Sequence, residues 1–200
     1  MQGKIFYIMG KSATGKDTIY RHLMEENPFG LRPVIPYTTR PIRSYEKEGR
    51  EYHFVSEAQA KEMEAAGKIL EMRCYATVHG PWYYFTADDG QIDLKEGNYL
   101  MIGTLESYRK LLETLGQDVL IPIYLWISDR ERMHRAIDRE DRQEFPKYAE
   151  LCRRYLADEE DFKEENLKAC NIQEYYENQD MKQCLKKIHE KMAESCMLLR

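Results

Sequence analysis

The run Gly10-Lys-Ser-Ala-Thr-Gly15-Lys16-Asp17-Thr18 constrains this chain more than any other stretch. Two glycines frame four residues and a lysine follows at once. An apolar run (Lys4-Ile-Phe-Tyr-Ile-Met9) precedes the segment, and Ile19, Leu23 and Met24 follow it at helical spacing. Strand, glycine turn and helix open an α/β fold, and such a strand reads as buried on both faces, in the middle of a parallel sheet. Backbone N–H groups ringed at a helix N-terminus are a ready site for polyphosphate. Glycines at 10 and 15 let the backbone approach the oxygens, and Lys16 adds a point charge for the terminal phosphates. Gly10, Ser12, Ala13, Thr14, Gly15, Lys16, Asp17 and Thr18 are therefore candidate contacts for a nucleoside triphosphate. The position after the lysine departs from the usual pattern, since Asp17 stands where a hydroxyl residue would meet magnesium and Thr18 comes one step later. Mg²⁺ is expected through the triphosphate and its water shell, with Asp17 or Thr18 as the protein contact. The plainer alternative is a glycine-rich turn with an incidental lysine.

Beyond the loop, the first helix is expected to end near Asn27-Pro28. Residues 33 to 85 change character: short β-like pieces (Tyr52 to Val55, Ile69 to Met72, Trp82 to Phe85) surround one helix. That helix has a capping box at Ser56-Glu-Ala-Gln59 and a glycine stop at Gly67. The α/β rhythm resumes with a strand at Tyr99 to Ile102, a helix at Leu105 to Leu115 and a strand at Val119 to Ile127. Pro122 should lie near the start of that strand's ladder, because it has no N–H to donate. A capping box at Ser128-Asp-Arg-Glu131 starts a helix over 130–144, which Pro146 breaks. Helices from about Lys147 to Glu164 and from Met181 to Leu199 complete the pattern.

Two hundred residues suit one domain or one core with small insertions, and the 42% hydrophobic fraction suffices for such a core. A net charge of −5 without a basic stripe argues against nucleic acid as a partner. No apolar run reaches the roughly 20 residues of a membrane span, and the opening run is too short for a signal peptide. Five widely spaced cysteines without a C-x-x-C pair suggest free thiols in a reducing compartment. A cytoplasmic monomer or homodimer is expected.

The second informative stretch is Thr38-Thr-Arg40-Pro-Ile-Arg43-Ser-Tyr-Glu46-Lys-Glu-Gly49-Arg-Glu-Tyr52-His-Phe54. Two arginines three apart, with a tyrosine downstream, are able to clamp a second phosphate by bidentate hydrogen bonds. Exposed loop arginines paired with Glu46 and Glu48 are the alternative. The stretch resembles the guanylate kinase family, whose pattern Thr-Thr-Arg-x-x-Arg-x-x-Glu-x-x-Gly-x-x-Tyr-x-Phe is matched at every fixed position. Chain length and order of elements are similar too.

The resemblance implies a P-loop three-layer α/β fold with a parallel central sheet, a small inserted acceptor-binding lobe (34–87) and a helical lid (135–154), the core being 1–33, 88–134 and 155–200. It implies ATP, carried with Mg²⁺, as donor and GMP as acceptor. Arg40, Arg43 and Tyr52 would hold the GMP phosphate, with Glu46 beside them. Glu71 would read guanine, Tyr84 would reach the phosphate and Thr86 the base. Thr86-Ala-Asp-Asp89 also reads as a helix N-cap. From an arginine-rich lid, Arg135, Arg139 and Arg154 are the counterparts, Arg139 and Arg154 joining Lys16, Arg40 and Arg43 as catalytic candidates. A pair such as Glu131–Arg135 also suits a plain helix surface. Asn178 is a candidate adenine contact. His53 and His79 receive no catalytic role.

Departures from the family pattern fall on the base side. The family's Asp-x-Asp after the lobe is replaced within Leu100-Met-Ile-Gly-Thr104, and its serine before Thr-Thr-Arg by Pro36 and Tyr37. A longer connection, Thr77-Val-His-Gly-Pro-Trp82, is expected to bring His79 and Trp82 near the acceptor pocket. Two other readings stand beside GMP phosphorylation: a kinase of the same fold for another phosphorylated acceptor, such as a pentose phosphate, and a non-catalytic binding module.

Overall fold

Five apolar residues in a row form β1 (Ile5–Met9), every one of them buried. The computed structural model describes residues 2–44, 46–77 and 80–197. Along the chain, β1 is followed by α1 (Lys16–Glu26), β2 (Arg32–Pro33), β3 (Tyr37–Thr38), β4 (His53–Phe54), α2 (Glu57–Ala65), β5 (Ile69–Thr77) and β6 (Gly80–Ala87). Then come β7 (Tyr99–Ile102), α3 (Leu105–Leu115), β8 (Leu120–Trp126), α4 (Asp129–Asp141), α5 (Tyr148–Asp161), α6 (Glu164–Ala169), β9 (Tyr176–Glu177) and α7 (Met181–Met197).

The first sheet is parallel throughout, in the order β2-β7-β1-β8-β9, so the expected central strand is central. Alternation along β1 divides its side chains between two layers. Ile5, Tyr7 and Met9 pack with Tyr108 and Leu111 of α3. Phe6 and Ile8 pack with Ile19 and Leu23 of α1 and with Leu185 and Ile188 of α7. Helix, sheet and helix make the three layers.

The second sheet runs β4-β3-β6-β5, with α2 capped by the complete Ser56–Gln59 box and followed by Gly67 at φ 66°. Its own small core joins Phe85, Ala87 and Ala60, with Met72 and Tyr83 packed against it.

Several expected bounds shift. The β5–β6 hairpin is longer than the pieces read from sequence: Thr77 opposes Gly80, so the described part of the expected connection is itself ladder. Within it Trp82 opposes Tyr75, while His79 lies outside the described residues. No helix follows Thr86, which lies within β6, so its N-cap reading is corrected. The single helix expected over 147–164 is two, α5 and α6, with Phe162 buried at the junction. Helix α4 stops at Asp141, short of residue 144. The last helix is described to Met197, and Leu199 lies outside the described residues. Pro122 sits third in β8, where β9 does not reach; β9 meets β8 only at Leu125 and Trp126. Among the described residues no helix is long and apolar enough to cross a membrane.

Candidate functional site

The glycine loop leaves the C-terminal end of β1 and turns into α1. Gly10 (φ 156°) and Gly15 (φ 90°) both take dihedrals that glycine favours. Space forbids a side chain as well: a Cβ on Gly10 would lie 2.5 Å from the Leu125 carbonyl oxygen. Ala13 also has a positive φ of 65°. Lys16 folds back over the loop, its Nζ donating to the carbonyls of Gly10 (2.7 Å) and Lys11 (3.0 Å). Desolvation lowers the pKa of its ammonium, Asp17 and Asp158 oppose that, and Arg139 and Arg132 add to it. Thr14 is buried and its carbonyl accepts from the Asn178 side chain at 2.8 Å. The Asn178 Oδ1 is buried with no hydrogen-bond partner among the described residues. Asp17 and Thr18 are exposed on the first turn of α1.

Helices α4 and α5 close on this loop. The Ser12 N–H donates to Asp158 Oδ2 at 2.7 Å, and Lys11 Nζ to Glu159 at 2.7 Å. Arg132 is the most buried cation here. It reaches Asp129, Asp158 and Glu159, and its guanidinium lies 4.0 Å from the Tyr155 ring centre. The expected arginines Arg139 and Arg154 share a narrow cleft with Ser12, Arg132 and Tyr155. Arg154 is also held by Glu150 at 2.9 Å. Arg135 meets both its helical partner Glu131 (3.0 Å) and the Asn178 carbonyl (3.1 Å), so it ties α4 to the residue that follows β9. Arg132 was missed from sequence because its partners lie mostly on the next helix.

A second cluster lies on the other sheet. Arg40 is 4% exposed, and its two terminal nitrogens donate to the two Glu46 carboxylate oxygens at 2.7 and 2.6 Å. The guanidinium stacks on Tyr52 (5.1 Å) and Phe54 (5.4 Å). Tyr84 packs edge-on against Tyr52, 5.7 Å between centroids. Arg40 is thus not the exposed loop arginine of the alternative reading, and Glu48 turns instead to His53 and the Phe54 N–H. The Glu46 carboxyl falls to about 2, chiefly through the hydrogen bonds from Arg40, and Arg40 rises well above its ordinary value. Arg43 gives its backbone N–H to Glu46 at 2.9 Å.

Glu71 lies deeper. Alternation in the hairpin puts Glu71, Arg73 and Tyr75 on one face with their partners Thr86, Tyr84 and Trp82. The Glu71 carboxylate accepts from Arg73 Nε (3.1 Å) and NH2 (3.3 Å), from the Thr86 hydroxyl (3.1 Å) and from the Ser107 hydroxyl of α3 (2.9 Å). Arg73 also donates to the Thr104 hydroxyl at 3.1 Å, at the place where the family pattern has its Asp-x-Asp. Thr104 caps α3 as well, accepting from the Ser107 N–H. Arg73, Thr104 and Ser107 were not anticipated. Two signals were available: Arg73 shares a strand face with Glu71 two residues away, and Ser107 lies one helical turn before buried Leu111.

A cleft of about 610 Å³ opens at the opposite, strand-starting end of the parallel sheet, lined by Lys4, Asp118 and Gln173 among others. It contains none of these groups.

A parallel sheet whose central strand feeds a glycine loop and a helix defines the P-loop class of nucleoside triphosphate-binding folds. The crystal structure of guanylate kinase from Anaplasma phagocytophilum shares that fold. It superposes with a TM-score of 0.64 at 20% identity, over 99% of this chain and 88% of that one. The chain belongs to the guanylate kinase family, whose model ("Guanylate kinase") matches residues 2–194. It is 34% identical over 122 residues to a guanylate kinase of Symbiobacterium thermophilum, and 36% over 129 residues to one of Neisseria gonorrhoeae. Those matches cover 61% and 62% of this chain, and 47% and 60% of the two relatives.

Proposed function

We propose that this chain transfers the terminal phosphoryl group of Mg-ATP directly to the phosphate of GMP, giving GDP and ADP. The observation that carries the reading is the pair of phosphate-ready constellations in one chain. One is the glycine loop with Lys16. The other is a buried Arg40, shaped into a bidentate fork by Glu46 and flanked by Tyr52 and Tyr84. Membership of the guanylate kinase family supports the same reaction.

In this reading the loop N–H groups and Lys16 hold the ATP phosphates. Asn178, with its unpartnered Oδ1, stands beside adenine. Mg²⁺ enters with ATP as part of the substrate, and the oxygen donors of Asp17 and Thr18 suit its water shell. Arg40, Arg43, Tyr52 and Tyr84 fix the acceptor phosphate for in-line attack, and residues 34–87 act as the acceptor lobe. Residues 135–154 act as the lid, bringing Arg139 and Arg154 over the transferring group to neutralise charge and exclude water. Acceptor phosphate oxygens are ionised near neutral pH, so no general base is needed. Glu71 and Thr86 take the base.

The test is ADP formation from Mg-ATP with GMP, dGMP, AMP, CMP, UMP, dTMP and ribose phosphates. Turnover with GMP well above the rest, abolished by Lys16→Met and strongly reduced by Glu71→Ala, is the expected result. One observation favours the second reading, another phosphorylated acceptor: the Glu71 side chain is fully buried and already carries a guanidinium.

A further inference from the structure

A carboxylate has room for about four hydrogen bonds. Glu71 already accepts four, two of them from Arg73. Its side chain is 0% exposed, and that of Arg73 is 9% exposed. No ligand reaches Glu71 while Arg73 stands there.

The chemistry of the two forks is the same. Guanine offers a carboxylate its N1–H and 2-amino N–H, which flank one carbon of a guanidine unit within the ring. Arg73 offers Nε–H and a terminal N–H, which flank the carbon of a free guanidinium. Arg73 therefore presents to Glu71 the donor pair that guanine would present. It adds a positive charge that the base lacks, and it is braced by the Thr104 hydroxyl (3.1 Å) and by the Tyr84 ring, 6.0 Å from its centre.

We infer that Arg73 is a specificity-determining residue: it holds guanine's place on Glu71, so a guanine acceptor binds only by displacing it. This deepens, and rests on, the assignment of Glu71 to the base. Exchange of a charge-assisted bidentate pair for a neutral one is uphill, so Arg73 lowers the affinity for GMP below what Glu71 alone would give it.

The experiment is calorimetric titration of the whole protein with GMP, ribose 5-phosphate and ADP, comparing the native chain with Arg73→Ala. GMP should bind Arg73→Ala at least about tenfold tighter than the native chain, with ADP and ribose 5-phosphate changed less than about twofold. A simple loss of structure would weaken all three, so the split between ligands separates specificity from folding. Should Arg73→Ala not fold, Arg73→Gln keeps an amide donor on Glu71 without the charge, and the same gain for GMP is expected at smaller size. Weaker or unchanged GMP binding in the variant overturns the inference. Native GMP turnover alongside that result leaves the proposed function standing. GMP binding in the variant but not in the native chain supports the inference and removes GMP as the native chain's acceptor. Binding in neither sinks both.

Discussion

The Ser12 backbone N–H, in the heart of the glycine loop, donates to the carboxylate of Asp158 at 2.7 Å, and the same oxygen accepts from buried Arg132 at 3.2 Å. A carboxylate from α5 thus lies on an N–H of the loop that would cradle phosphate. Any phosphate that uses Ser12 must take that donor from it.

Asp158→Asn should therefore tighten ADP binding, by about five- to tenfold, because a neutral amide oxygen yields the Ser12 N–H more readily than a carboxylate does. The protein without nucleotide should melt earlier, since Arg132 loses one charged partner. Titration calorimetry and thermal melting check the two halves. Weaker ADP binding would mean that Asp158 shapes the loop and does not compete with phosphate.

Stability should fall in acid through Glu46. Its carboxyl titrates near 4.5 in the unfolded chain and near 2 in the folded one. The folded value is depressed, so the stabilisation is complete above about pH 4.5 and disappears progressively as pH drops toward 2. Glu46→Gln should lower stability at neutral pH, where breaking a buried pair costs about 3–5 kcal/mol, and should flatten the acid limb of urea melts. Glu150 is also depressed to about 2 by its arginines, yet its side chain is 39% exposed. Glu150→Gln should cost less than about 0.5 kcal/mol. Equal effects of the two substitutions would contradict the difference in burial.

Lys16→Met should remove the charge on the loop without unfolding it, since Lys16 contributes two hydrogen bonds to loop carbonyls and no part of the core. Turnover should drop by about 10²–10³-fold or more, the scale for losing one electrostatic stabiliser of the transferring group. The melting temperature should move by only a few degrees. Steady-state kinetics beside a melt decide it, and retained turnover would remove Lys16 from the chemistry.

Ser107→Ala deletes one of the four donors on Glu71. The loss should cost about 1 kcal/mol of stability. It should also loosen β5, because Glu71 loses the hydrogen bond that ties it to α3. Higher amide exchange in β5, relative to β1, is the accompanying signal. An unchanged melt would show that Glu71 is satisfied without Ser107.

The sequence revealed most where the signal is local. The apolar run of β1, the framed glycines and the capped starts of α2 and α4 each depend on residues within one turn or one strand, and all were readable. The two-residue strands β2, β3 and β9 were not, because their extended backbone comes from the partner strands and not from their own pattern. The split between α5 and α6 was hidden for a similar reason: Phe162 leaves the helix to bury itself against Tyr124 of β8, stacked at 5.5 Å. Arg40, Glu46 and Tyr52 are brought together as the family resemblance implied. Arg132 and Ser107 escaped notice because what surrounds them comes from elsewhere in the chain: Asp158, Glu159 and Tyr155 in one case, Glu71 in the other.

The Asn178 side chain grips the Thr14 carbonyl, a contact between residues 164 positions apart. Contacts so distant in sequence form late, because the entropy of closing the intervening chain is lost before they can form. In a refolding experiment, helix signal should recover first and nucleotide affinity afterwards, because the glycine loop gains its final shape only when β9 has docked and brought Asn178 with it.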